Sequence, residues 1–187
     1  MRVIAAALAV ILAAAPAAAQ VMGSYNPGTD RMLPNGGRPA QHVAFPEIKD
    51  WSSLRISLTR TMCFGACPAY TVTIAGDGTV TWKGERFVKV QGDATAHIAP
   101  EKVHALFERF RKAEYFWLLD SYASAITDMP AQNTSMAFDD HLKAVHDYAG
   151  QGVGMPEVVS ELERAIDETA NTAQWIGPPD DPARRMH

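Results

Sequence analysis

The sequence predicts an α+β domain, an antiparallel β-sheet of meander and hairpin strands with two helices packed on one face. Three observations carry that reading. In residues 54–58, 70–74 and 80–82 apolar side chains alternate with polar ones, the period of strands with one buried face. Between the second and third of these runs stands Gly76-Asp77-Gly78, and Asp-Gly supplies the positive φ angles that a tight hairpin demands. Two later stretches, opened by Pro100 and Pro156, place their apolar residues at helical spacing instead.

Taken in order, the chain starts with Met1-Arg2, an apolar run over residues 3–15, and Pro16-Ala17-Ala18-Ala19-Gln20. A short charged start, an apolar middle and a small-residue cleavage site make residues 1–19 a secretory signal peptide. A spanning helix needs about 20 apolar residues, and this run is shorter and ends in a cleavable Ala-x-Ala. No cysteine follows the cleavage point to carry a lipid anchor. The mature chain is therefore expected to begin near Gln20 and to be soluble in a bacterial periplasm. Residues 20–50 hold Tyr25-Asn26-Pro27-Gly28 and Leu33-Pro34-Asn35-Gly36-Gly37 with no sustained period, and are expected to form a flexible leader.

A single domain is expected over residues 51–177. Leu54, Ile56 and Leu58 give the first strand, and Tyr70, Val72 and Ile74 the second. Val80 and Trp82 resume the pattern after the Asp-Gly turn. A further turn is expected at Lys83-Gly84-Glu85, then strands over residues 87–90 and 94–98. In the first helix Val103, Leu106, Phe107 and Phe110 form one stripe, and Arg109, Arg111 and Lys112 bring positive charge to the end where the helix dipole is negative. Tyr115, Phe116 and Trp117 read as core. Thr127-Asp128-Met129-Pro130 makes a polar turn before two strands, at residues 134–138 and 142–148, joined by Asp139-Asp140. The second helix buries Val159, Leu162, Ile166 and Ala170 and turns Glu161, Glu163, Arg164 and Asp167 outward. The Pro-rich tail, residues 178–187, is expected to be disordered.

Charge excludes one function class. Seventeen basic residues, one of them Arg2 in the expected signal peptide, stand against 21 acidic ones, so no basic excess is left to hold a phosphate backbone. No later apolar run is long enough to span a membrane, and no Gly-x-Ser-x-Gly elbow accompanies Ser135 or Ser160. Asp77, Asp139 and Asp140 read as turn residues.

The chemistry therefore turns on the only two cysteines, Cys63 and Cys67. A secreted chain with two cysteines is expected to oxidise them, and so small a ring contributes about 2 kcal/mol by the loop-entropy relation. Pro68 disfavours helical angles at Cys67, so the pair marks a bend leading into a strand. A redox couple would need a helix amino terminus or a nearby cation to stabilise a thiolate, and here only Arg60 is at hand. Cys-x-x-x-Cys-Pro also resembles the copper motif of the Sco-type copper chaperones, where two thiolates and a distant histidine hold copper. In that family the motif leads into a helix, whereas residues 69–74 alternate as a strand. If copper were bound here, Cys63, Cys67 and a histidine such as His97 would be its ligands; His104, His141 and His146 show no diagnostic spacing.

The longer run Arg60-Thr61-x-Cys63-x-Gly65-x-Cys67-Pro68-x-Tyr70, followed by Gly76-Asp77-Gly78, resembles the opening of an uncharacterised secreted bacterial family, a domain of unknown function. Thr127-Asp128-x-Pro130, Lys143 with Tyr148, and Trp175-x-Gly177 extend the likeness over residues 54–177. Ala131 stands where a threonine is expected. The resemblance implies a compact secreted domain and supplies no catalytic residues. The residues thus point to a non-enzymatic periplasmic domain without a cofactor, stapled by Cys63 and Cys67, that binds a protein or an envelope component. Arg60, Tyr70, Thr127 and Asp128 are its candidate binding surface, and a copper or thiol-redox protein using the same cysteines is the alternative.

Overall fold

The computed structural model describes residues 33–184. The expected signal peptide, the start of the leader and the last residues of the tail lie outside the described residues. The strands are β1 (Arg55–Arg60), β2 (Ala69–Ala75), β3 (Thr79–Arg86), β4 (Gly92–His97), β5 (Ser121–Ala123), β6 (Gln132–Phe138) and β7 (His141–Tyr148). The helices are α1 (Pro100–Lys112), α2 (Glu157–Ala170) and the single turn α3 (Ala173–Ile176). One mixed, mostly antiparallel sheet runs β4-β3-β2-β1-β6-β7-β5, and only β5 lies parallel to its neighbour, β7. The fold is α+β, as expected.

The alternation read from the sequence sets the packing. Ile56, Leu58, Val72, Ile74, Val80, Trp82, Met136 and Phe138 are buried in one cluster with Val103, Leu106, Phe107 and Phe110 of α1 and Val159, Leu162 and Ile166 of α2. The intervening Ser57, Thr59, Thr71, Thr73 and Ser135 are only partly buried. Their hydroxyls pair across strands, Ser57 with Ser135 at 2.6 Å and Thr59 with Thr71 at 2.9 Å. At the hairpin, Gly78 has φ 89° and the Asp77 carboxylate accepts the Thr79 amide at 2.9 Å.

Three stretches depart from the sequence reading. Lys83-Gly84-Glu85 is not a turn, because β3 runs through it to Arg86. Gly84 serves close approach instead: a Cβ there would lie 2.1 Å from the Val90 carbonyl oxygen, which also accepts the Trp82 indole N–H at 2.9 Å. Residues 87–90 are consequently no sheet strand but a crossing segment, whose Lys89 and Val90 amides bond to Ile176 and Trp175 carbonyls at 3.0 and 2.9 Å. The third departure is β5, whose three residues are too few to show a period.

From Leu33 on, the segment expected as a leader is laid across the domain. Phe45 meets Phe107 and Phe116 edge-on at 5.4 and 5.1 Å and stacks on Phe138 at 6.1 Å. Its backbone is held at intervals by side chains of the domain. Trp117 donates to the Pro39 carbonyl at 2.9 Å, Tyr122 to that of Gly37, and Asp139 accepts the Lys49 and Asp50 amides at 2.8 and 3.0 Å. Such anchoring leaves no periodic trace in sequence. The tail is tied likewise as far as Arg184, which donates to the Phe87 carbonyl at 3.0 Å. Among the described residues no helix is long and apolar enough to cross a membrane.

Candidate functional site

The β1–β2 connection, residues 61–68, carries the cysteines. Cys63 and Cys67 form a disulfide with Cα atoms 5.7 Å apart. A small ring limits the backbone, and hydrogen bonds to the connection between β5 and β6 fix it further. Thr61 donates its amide to the Ala131 carbonyl at 3.0 Å and accepts the Ala131 amide on its hydroxyl at 2.8 Å. The Phe64 amide donates to the Asp128 carbonyl at 3.0 Å. Asp128 holds φ 71°, its carboxylate accepts the Thr127 hydroxyl at 2.9 Å, and the Met129 amide bonds to the Tyr148 hydroxyl at 3.3 Å.

These two tied loops display apolar side chains to water. Phe64 is 90% exposed, with Met62 at 50%, Ile126 at 50% and Met129 at 46%. Only Val43 and Leu142 join them as exposed large hydrophobic residues among those described. Grouping, rather than a single exposed apolar side chain, is what marks an interaction surface.

Beneath the loop lies a buried polar cluster. Arg60 and Tyr70 are cross-strand partners at its base, so their side chains share a face of the sheet. Both reach Asp167 on α2. The guanidinium donates to one carboxylate oxygen at 3.1 and 2.9 Å, and the phenol to the other at 2.6 Å. Arg60 also donates to the Tyr70 oxygen at 3.0 Å, and the Thr172 hydroxyl to Asp167 at 2.8 Å. Burial and the nearby Asp167 charge push the Tyr70 phenol well above its ordinary pKa. One turn earlier on α2, Glu163 is 5% exposed and shares a hydrogen bond with Asp147 of β7, while its Oε1 has no partner. Burial and the Asp147 charge raise the Glu163 carboxyl to about 8. Asp147 itself accepts the Gly150 amide at 2.7 Å.

The residues expected at the site thus fall on two levels. Thr127 and Asp128 lie at the surface beside Phe64, whereas Tyr70, 1% exposed, and Arg60 support the loop from below. His97 pairs with Thr79 at the opposite end of the β2–β3 hairpin from the cysteines. The other histidines have separate neighbours: His104 packs on Trp51 at 3.9 Å, His141 lies 3.4 Å from Asp140, and His146 bonds Asn133 at 2.6 Å. No three His, Cys, Asp or Glu side chains among the described residues are grouped to hold a metal ion. Sequence reading missed Asp147, Asp167, Thr172 and the burial of Glu163. One signal was present: Glu163 follows Val159 by four residues, which sets it on the apolar stripe rather than on the polar face.

The loop's covalent closure should be measurable as stability. Replacing both Cys63 and Cys67 with serine is expected to lower unfolding free energy by about 2 kcal/mol in urea. Loss under 0.5 kcal/mol, far below that figure, would mean that the hydrogen bonds to Asp128 and Ala131 set the loop alone.

Several residues on which the sequence resemblance rests have plain structural work. Lys143 donates to the Leu118 carbonyl at 2.7 Å and to Asp120. Trp175 stacks on Trp82 at 5.2 Å, and Gly177, at φ 73°, passes so close to Lys89 that a Cβ would lie 2.9 Å from it. No curated protein matches the chain. Residues 54–170, which hold the stapled loop, its Arg60–Tyr70 base and Asp167, match a family described as Domain of unknown function (DUF6438), and the chain belongs to that family.

Proposed function

We propose that this chain is a secreted, periplasmic, non-enzymatic binding domain that grips a protein partner through its stapled loop. The observation that carries the reading is Phe64, 90% exposed on backbone held by a disulfide and by the Asp128 carbonyl. An aromatic side chain on pre-set backbone loses little freedom on binding, which is what an interface anchor requires. Met62, Ile126 and Met129 supply an adaptable apolar ring around it, and Thr127 and Asp128 a polar rim. Neither loop holds a basic residue and Asp128 adds a carboxylate, which favours a protein groove over an anionic lipid surface. Arg60 and Tyr70 act here by positioning the loop. The alternation of burial along β1, β2, β3 and β6 supports placing both helices on one sheet face, with the hydroxyl-bearing face left open.

Phe64→Ser is the direct test. The variant should keep wild-type stability within about 0.5 kcal/mol, as an exposed substitution does, yet lose a stoichiometric partner that the wild type cross-links in a periplasmic extract. Equal recovery of that partner by both proteins, or binding to lipid vesicles alone, would defeat the reading. The copper alternative gives a different pattern: a folded Cys63→Ser, Cys67→Ser variant would keep its partner and lose Cu(I) uptake seen with the reduced wild type. N-terminal sequencing of the exported protein should begin near Gln20.

A further inference from the structure

A second recognition feature lies at the edge of the sheet, on β7, two strands from β1. β5 covers only the last residues of β7, pairing Ser121, Tyr122 and Ala123 with His146, Asp147 and Tyr148. The His146 amide donates to the Asp120 carbonyl at 2.9 Å, and the Tyr148 carbonyl accepts the Ser124 amide at 2.9 Å. Backbone groups along a strand alternate in direction with a period of two. The N–H and C=O of Ala144 and Leu142 therefore point to the same side as those of His146, where β5 has not yet begun. Among the described residues no backbone hydrogen bond reaches them from that side.

A groove of about 480 Å³ opens along this stretch, lined by Leu142, Ala144, His146, Asn133, Ser121 and Asp120. The Leu142 side chain is 73% exposed. Natural sheets usually blunt a bare edge with a charge, a bulge or a covering loop. The charge on this stretch, Lys143, is turned aside: its side chain is 12% exposed and donates to the Leu118 carbonyl and to Asp120. Two carboxylates bracket the stretch: Asp120, at 69% side-chain exposure, is paired with Lys143, and Asp140, at 89%, lies 3.4 Å from His141. At about 3.3 Å per residue, the edge between them accepts about four residues of extended chain.

From this we propose that the open edge of β7 binds an extended peptide by strand addition, its backbone pairing with Leu142 and Ala144 and a basic residue at one end meeting Asp140. Backbone pairing supplies the affinity in such a mode and side-chain pockets the specificity. Here Leu142 and the His146–Asn133 pair form the pocket for the side chains that alternate onto that face. Asp140 disfavours an acidic residue at that end of the peptide.

The probe is the capped hexapeptide Lys-Val-Thr-Val-Thr-Lys, with an otherwise identical peptide N-methylated at alternate residues as its control. Titration into the full mature protein should slow hydrogen exchange of the Leu142 and Ala144 amides, with the control at least tenfold weaker. Ala144→Pro removes an amide on the open side only, where proline is tolerated, and should weaken binding at least tenfold while circular dichroism stays unchanged. Should that variant misfold, the N-methylated control still decides. Phe64→Ser should leave peptide binding intact, so this proposal and the loop reading fail separately. It is overturned if neither amide is protected at saturating peptide, if the N-methylated control binds equally, or if the same amides become protected by self-association without peptide.

Discussion

Replacing Asp167 with alanine is expected to lower stability by about 3 kcal/mol and the melting temperature by about 10 °C. The carboxylate accepts from Arg60, Tyr70 and Thr172 at once, so its removal leaves the guanidinium in a mostly buried site with only the Tyr70 oxygen as acceptor and the phenol with none. That uncompensated desolvation, rather than the loss of attraction alone, makes breaking such a pair expensive. Arg60 and Asp167 side chains keep 22% and 21% exposure, which holds the effect toward the lower end of the range for buried pairs. Arg60→Ala added to Asp167→Ala should be nearly neutral, because the orphaned charge is then gone. The double-mutant cycle should give a coupling of about 1–3 kcal/mol in urea unfolding. Additive losses would show that the two residues do not act on each other.

The second large effect concerns pH. Glu163 sits near 8 in the folded chain against an ordinary value of 4.5, burial being the main cause and the Asp147 charge the next. The native state therefore keeps a proton that the unfolded chain releases between those values. Its stabilising contribution is complete below the ordinary value and is lost as pH rises toward 8. One proton changes stability by about 1.4 kcal/mol per pH unit across such a window. Glu163→Gln keeps the shape and a donor toward Asp147 but cannot ionise. It should be close to wild type near pH 5, about 2–4 kcal/mol more stable than wild type near pH 8, and show a flatter profile between. Parallel stability profiles for the two proteins would contradict an ionisable Glu163 buried in the native state.

Much of this architecture was readable from local pattern. Alternation found β1 and β2 because each strand buries one face, and Asp77-Gly78 marked the hairpin because tight turns constrain backbone angles. Long-range arrangement was not readable in the same way. Gly84 looked like a turn residue, yet it is small because Val90 crosses above it. Phe45 lies in a stretch without period, since one aromatic side chain and a few backbone carbonyls suffice to hold that stretch in place.

The candidate site divides along the same line. Cys63 and Cys67 announced themselves by number and spacing, and Arg60 and Tyr70 by their place at either end of the motif. Asp167 carries no mark of its own: only the β1–β2 register and the seating of α2 bring it beneath them. The exposure of Phe64 and Leu142 was equally silent in sequence, because a lone apolar residue reads the same whether it is covered or bare.

The disulfide and the Asp167 clamp differ most in the distance along the chain that each must close. The Cys63–Cys67 bond has a sequence separation of 4, whereas Asp167 lies 107 residues from Arg60 and 97 from Tyr70. Short closures form early and long ones wait for the rest of the chain. The staple is thus a local closure of the first hairpin, while the footing of Phe64 is set only when the last long helix docks. A chain cut short before α2 would keep the covalent ring and lose the platform that aims it.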